Sequence, residues 1–86
     1  MGDITMTDMA EWKEPRDQVL EPGVIEFHGR TVLCLVRKLS EKCAQLDMVR
    51  PCAVPDRFTL AFPLEETSRP CRLVWRREAE MGVAFQ

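Results

Sequence analysis

Four cysteines and one histidine are the side chains of this chain with the widest chemical reach, as metal ligands, nucleophiles or redox partners. Cys34, Cys43, Cys52 and Cys71 stand 9, 9 and 19 positions apart, so no C-x-x-C pair exists. A zinc site draws its ligands from short spacings, and His28 is the single histidine available to help. No metal is expected. Two disulfides would suit a secreted chain. Here Asp3, Asp8, Glu11, Glu14 and Asp17 fill the first 20 residues, where a signal peptide needs a basic start and an apolar stretch. The cysteines are therefore expected as small apolar residues inside strands, in a reducing, cytoplasmic compartment. Cys43 falls at a turn, where a reactive thiol is conceivable, but nothing near it in sequence lowers a thiol pKa. His28 has no serine or cysteine placed beside it as a nucleophile, and Glu65-Glu66 reads as solvated charge in a proline-bounded loop. Neither an enzyme nor a cofactor is expected.

The cations offer a different chemistry, anion recognition. Residues 1–26 carry seven acids against Lys13 and Arg16, a balance of −5, whereas residues 27–86 carry ten bases against seven acids. The total of −2 thus hides an acidic arm on a mildly basic body. Arg72, Arg76 and Arg77 on a small β body would suit nucleic acid, but such barrels rely on aromatic stacking platforms. The chain has no tyrosine and six aromatic residues (four Phe, two Trp), most of which a core requires. Nucleic acid is not an expected partner.

The elements that must position these groups follow from the hydrophobic period. With 45% apolar and 30% charged residues in 86, the chain has the balance of one ordinary globular domain. Nothing approaches the roughly 18 consecutive apolar residues of a membrane helix, so membrane insertion is not expected. Residues 1–22 read as an acidic, partly disordered arm, in which Asp8 and Glu11 make a weak capping box for a helical turn through Met9, Ala10 and Trp12 before Pro15. Glu21-Pro22-Gly23 then reads as a turn, and residues 23–86 as the body.

From Gly23 onward the period is two. Strands are expected over Val24–Phe27, Thr31–Lys38, Cys43–Val49 and Arg57–Phe62, from Cys71 to Arg76, and around Met81–Phe85, with a tight turn at His28-Gly29-Arg30. The inward set is Phe27, Cys34, Val36, Leu46, Met48, Phe58, Leu60, Phe62, Leu73, Trp75, Val83 and Phe85. Six short strands with Pro and Gly between them predict an all-β, small six-stranded antiparallel barrel, and closure removes the exposed edges of a flat sheet. With Cys34 and Val36 inward, Leu33 and Leu35 point outward, where polar residues would be ordinary. They are a candidate patch for a protein partner or for self-association, unless Met9 or Trp12 of the arm covers them.

Three segments resemble PilZ domains: Val36-Arg37-Lys38-Leu39-Ser40-Glu41-Lys42-Cys43-Ala44, then Pro55-Asp56-Arg57-Phe58-Thr59-Leu60, then Pro70-Cys71-Arg72-Leu73-Val74-Trp75-Arg76-Arg77 with Met81-Gly82-Val83-Ala84-Phe85. The ending is similar to that of single-domain PilZ proteins of alphaproteobacteria, and the resemblance spans residues 12–86. It implies a six-stranded barrel and the class of cyclic di-GMP signalling. The family site pairs an R-x-x-x-R motif before the first strand with D/N-x-S-x-x-G at the turn between the second and third. Arginine forks hold phosphates and guanine edges, and the glycine permits positive φ.

This chain departs from both motifs. Lys13 and Arg16 are the only candidates for the arginine pair, at the wrong spacing; Leu20 or Asp17 takes the second place. Lys38 replaces Asp or Asn, Ser40 is retained, and Cys43 replaces the glycine, bringing a β-carbon that disfavours a left-handed turn. The resemblance then implies a regulatory protein with degenerate nucleotide motifs that works by protein contact. The alternative is a cyclic di-GMP receptor with an altered site built from Lys13, Arg16, Lys38 and Ser40, with Arg37 and Cys43 beside them.

Overall fold

The computed structural model describes residues 12–50 and 52–86. Six strands follow in order: β1 (Asp17–Phe27), β2 (Arg30–Leu39), β3 (Cys43–Met48), β4 (Arg57–Phe62), β5 (Thr67–Arg77) and β6 (Glu80–Phe85). Every pairing is antiparallel, and the order β1-β2-β3-β6-β5-β4 closes on itself as a barrel. The all-β six-stranded barrel is the expected architecture. Among the described residues there is no helix, and so none long and apolar enough to cross a membrane. The helical turn expected over residues 8–12 lies, except for Trp12, outside the described residues.

The local chemistry accounts for the ends of the strands. His28 (φ 49°) and Gly29 (φ 73°) form the two-residue connection between β1 and β2, the left-handed pair that matches the twist of a hairpin. Inside the barrel Ile25, Val36, Ala44, Leu46, Leu60, Met81 and Val83 are fully buried. Complete burial of a Leu, Ile or Val contributes about 1.5–3 kcal/mol each. Cys34 and Cys71 fill the same interior, and burial pushes both thiols up to about 12.

Two strands are longer than the periodicity suggests. β1 starts at Asp17, not Val24, because β4 contacts it only over Val24–Glu26 while β2 accompanies it back to Asp17. Pro22 sits in this one-sided stretch, where a missing N–H leaves β1 paired on its other side only, and a register shift between Gln18 and Glu21 absorbs the irregularity. β5 likewise begins at Thr67, and Pro70 falls just before its pairing with β6 starts at Cys71.

One inward assignment is corrected. Trp75 does not face the core. The register shifts between Leu73, which pairs with Val83, and Trp75, which pairs with Gly82, so Val74 occupies a bulge and the faces exchange. Trp75 comes to lie on the outer surface, in a second apolar cluster with Cys43, Val74 and Ala84. The other expected inward residues all belong to, or pack against, the main core.

Candidate functional site

The β2–β3 turn carries the residues that the resemblance singles out. Ser40 N–H donates to the Cys43 carbonyl (2.9 Å), Cys43 N–H donates to Ser40 Oγ (3.2 Å), and that hydroxyl donates back to the Cys43 carbonyl (3.2 Å). Lys42 carbonyl accepts from Phe85 N–H at 2.8 Å, tying the turn to β6. Ser40 is therefore engaged in closing its own turn. Cys43 needs no left-handed backbone: among the described non-glycine residues, positive φ occurs at His28, Glu66 and Glu78. Its β-carbon is accommodated as the first residue of β3, with 1% of the residue exposed.

A bulge re-aims Lys38. The β2–β3 register shifts between Val36 and Lys38, leaving Arg37 as the extra residue and setting Lys38 beside Gln45. The outer face then holds a cross-strand row of Gln18, Lys38, Gln45, Gly82 and Trp75, running from β1 through β2, β3 and β6 to β5. The arm meets this row at two places. Glu14 accepts from Lys38 Nζ at 3.0 Å, and Trp12 stands edge-on to Trp75 with ring centroids 5.6 Å apart at 85°. Pro15, between these contacts and β1, is buried. The ion pair is exposed and worth no more than about 1 kcal/mol. The indole contact is the stronger anchor, since aromatic pairs add about 0.5–1.5 kcal/mol beyond the area they bury.

Gly82 makes the Trp75 seat possible. A β-carbon there would overlap the indole nitrogen and stand 2.7 Å from Trp75 Cδ1. Arg77 lies 5.5 Å from the same ring centroid. Under the two indoles, Cys43, Val74 and Ala84 are removed from water.

Beside Lys38 a pocket of about 330 Å³ is lined by Gln18, Leu20, Arg37, Lys38, Asp47 and Glu80, among others. Its two cations are matched by two carboxylates. Arg37 is bound to Asp47 Oδ2 at 2.7 Å, while Asp47 Oδ1 is buried without a hydrogen-bond partner. At the same end of the barrel, partial burial and then the nearby Glu65 carboxylate push Glu21 above the usual carboxylate range. A ligand with two phosphates would find no net positive field here.

The structure thus brings Arg37, Lys38, Ser40 and Cys43 to one corner. It leaves Lys13 and Arg16 exposed on the arm, neither in an ion pair with a described residue. Leu33 and Leu35 do point outward. Leu33 is 62% exposed, and Leu35 is half-buried between Pro22 and Asp47. Trp12 covers neither, being seated on the Trp75 cluster; Met9 lies outside the described residues. Sequence reasoning missed the Trp12–Trp75–Gly82 stack. Its one available signal was a glycine inside the last strand, a sign of close approach by another group. No family model, no curated protein and no solved structure matches this chain.

Proposed function

We propose that this chain is a PilZ-type single-domain regulatory protein of the cyclic di-GMP signalling class that acts in the cytoplasm by protein–protein contact. The observation that carries this reading is the Glu14–Lys38 pair at 3.0 Å. The chain's own carboxylate occupies the cation that the family-like turn offers to a phosphate. The docked Trp12 supports it by packing on the cluster that holds Cys43, which stands where the family has glycine. The contact surface is the outer face of β2 around Leu33 and Leu35.

Leu33→Asp in the native host is expected to abolish the regulatory phenotype of a deletion-complemented strain without lowering the melting temperature, since Leu33 is already largely in water. Lys38→Ala is expected to leave that phenotype intact. The reverse pattern, with Lys38 essential and Leu33 dispensable, would overturn the contact reading.

One feature favours the second reading, a cyclic di-GMP receptor with an altered site. Asp47, which lines the pocket beside Lys38, has a buried Oδ1 without a hydrogen-bond partner, and a guanine N–H would fill that acceptor once it is uncovered. Displacement of Glu14 by the nucleotide would then be required.

A further inference from the structure

At the barrel end opposite the β2–β3 turn, an open groove of about 580 Å³ lies between the β1–β2 hairpin and the segment after β3. Phe27 and Val32 back it against the core, and Leu33 and Val49 stand along it, 62% and 67% exposed. The last two are held side by side where Val49 N–H donates to the Leu33 carbonyl at 3.5 Å. Arg30 and Arg50 also line the groove. Both are exposed, and neither guanidinium is in an ion pair with a described residue. Among the described residues no carboxylate lines it. This is the converse of the pocket at Lys38, where each cation is matched by an acid.

Resting on the contact reading above, we infer that this groove takes an acidic, apolar segment of a partner protein. An aliphatic or aromatic side chain of the partner seats against Leu33 and Val49, and carboxylates close on Arg30 and Arg50. The chemistry is complementary in both parts. The exposed apolar pair leaves water on contact, and each guanidinium fork is shaped for a carboxylate, which it binds bidentately. A membrane surface fits less well. Anionic lipid recognition uses clusters of about 4–8 basic residues, whereas this groove has two, on a chain of net charge −2. The groove lies on β2 roughly 17 Å from Lys38, taking about 3.3 Å per residue over the five residues from Leu33, so its occupation does not require the arm to move.

The test is selection from a random dodecapeptide library on the immobilised full chain, repeated on the R30E/R50E variant and on Leu33→Asp. Enriched peptides are expected to carry two or more Asp or Glu beside Leu, Met, Ile or Phe. They should lose about tenfold or more in affinity on R30E/R50E, and that variant should itself select Lys- or Arg-bearing peptides. Neutral or basic peptides that depend on Leu33 but ignore the charge reversal would overturn the acidic partner and leave the contact reading standing. Peptides indifferent to both variants, or no enrichment over bare support, would overturn both. Binding of the full chain to vesicles of mixed phosphatidylcholine and phosphatidylserine, lost on R30E/R50E, would assign the groove to lipid and overturn the inference. So would a dimer in sedimentation that R30E/R50E dissolves.

Discussion

Replacing Gly82 with alanine is expected to lower the unfolding free energy by about 1–3 kcal/mol, the usual cost of forcing extra atoms into a packed site. For a domain of this size, each kcal/mol corresponds to roughly 4–8 °C in melting temperature. The added methyl has nowhere to go, because the Trp75 indole lies directly across the glycine. Trp75 is itself in contact with Trp12 and near the Arg77 guanidinium. A double-mutant cycle isolates the cause. In a Trp75→Ala background the same glycine substitution should cost under about 1 kcal/mol, since the colliding group is gone. An equal cost in both backgrounds would mean that Gly82 is needed for its backbone and not for the indole.

Trp12→Ala is expected to expose Cys43. In the intact chain Cys34, Cys43 and Cys71 are all buried, and Cys52 alone among the four thiols is partly exposed. A Cys52→Ser chain should therefore react slowly with a thiol reagent. Adding Trp12→Ala should raise modification of one thiol by at least about tenfold, because a docked segment with few contacts opens at low free-energy cost. Peptide mass mapping should place the label on Cys43. Cys34 and Cys71 should remain silent, being in the barrel core with thiols pushed up to about 12. Labelling of all three would report global unfolding, and a Cys43 rate unchanged by Trp12→Ala would show that the indole does not shield it.

These two results concern a part of the molecule that the sequence discloses poorly, and the reason is physical. Alternation of apolar and polar residues is a local property, so β4 and the inward faces of β2 and β3 could be read directly from residues 57–62, 34, 36, 46 and 48. A bulge interrupts the alternation by one residue and reverses every face beyond it. The three consecutive apolar residues Leu73-Val74-Trp75 are the trace it leaves, and treating them as a regular strand sends Trp75 inward. The start of β1 was obscured for a related reason. Glu21-Pro22-Gly23 has the composition of a turn, but its extended conformation is imposed by the β2 partners Val36, Leu35 and Cys34.

The corner at Lys38 divides in the same way. Lys38, Ser40 and Cys43 share a turn because they are near in sequence, and that much needs no tertiary information. The Glu14–Lys38 contact spans 24 positions and stands beside the bulge at Arg37 and the Trp12–Trp75 contact, neither of which the local pattern discloses. The acidic arm was legible as charge, its docking was not. At the other end, Leu33 announces itself by breaking the alternation of β2. Its neighbours Val49, Arg30 and Arg50 are assembled around it by the barrel.

Calorimetric titration of the full chain with cyclic di-GMP at moderate salt tests most directly whether this barrel acts through contact with its nucleotide corner self-occupied. No heat is expected, and no chemical-shift change at Lys38, Ser40 or Gln45 up to millimolar ligand. Micromolar or tighter binding, weakened by Lys38→Ala, would contradict it: Glu14 would then be a displaceable placeholder and the chain a nucleotide receptor.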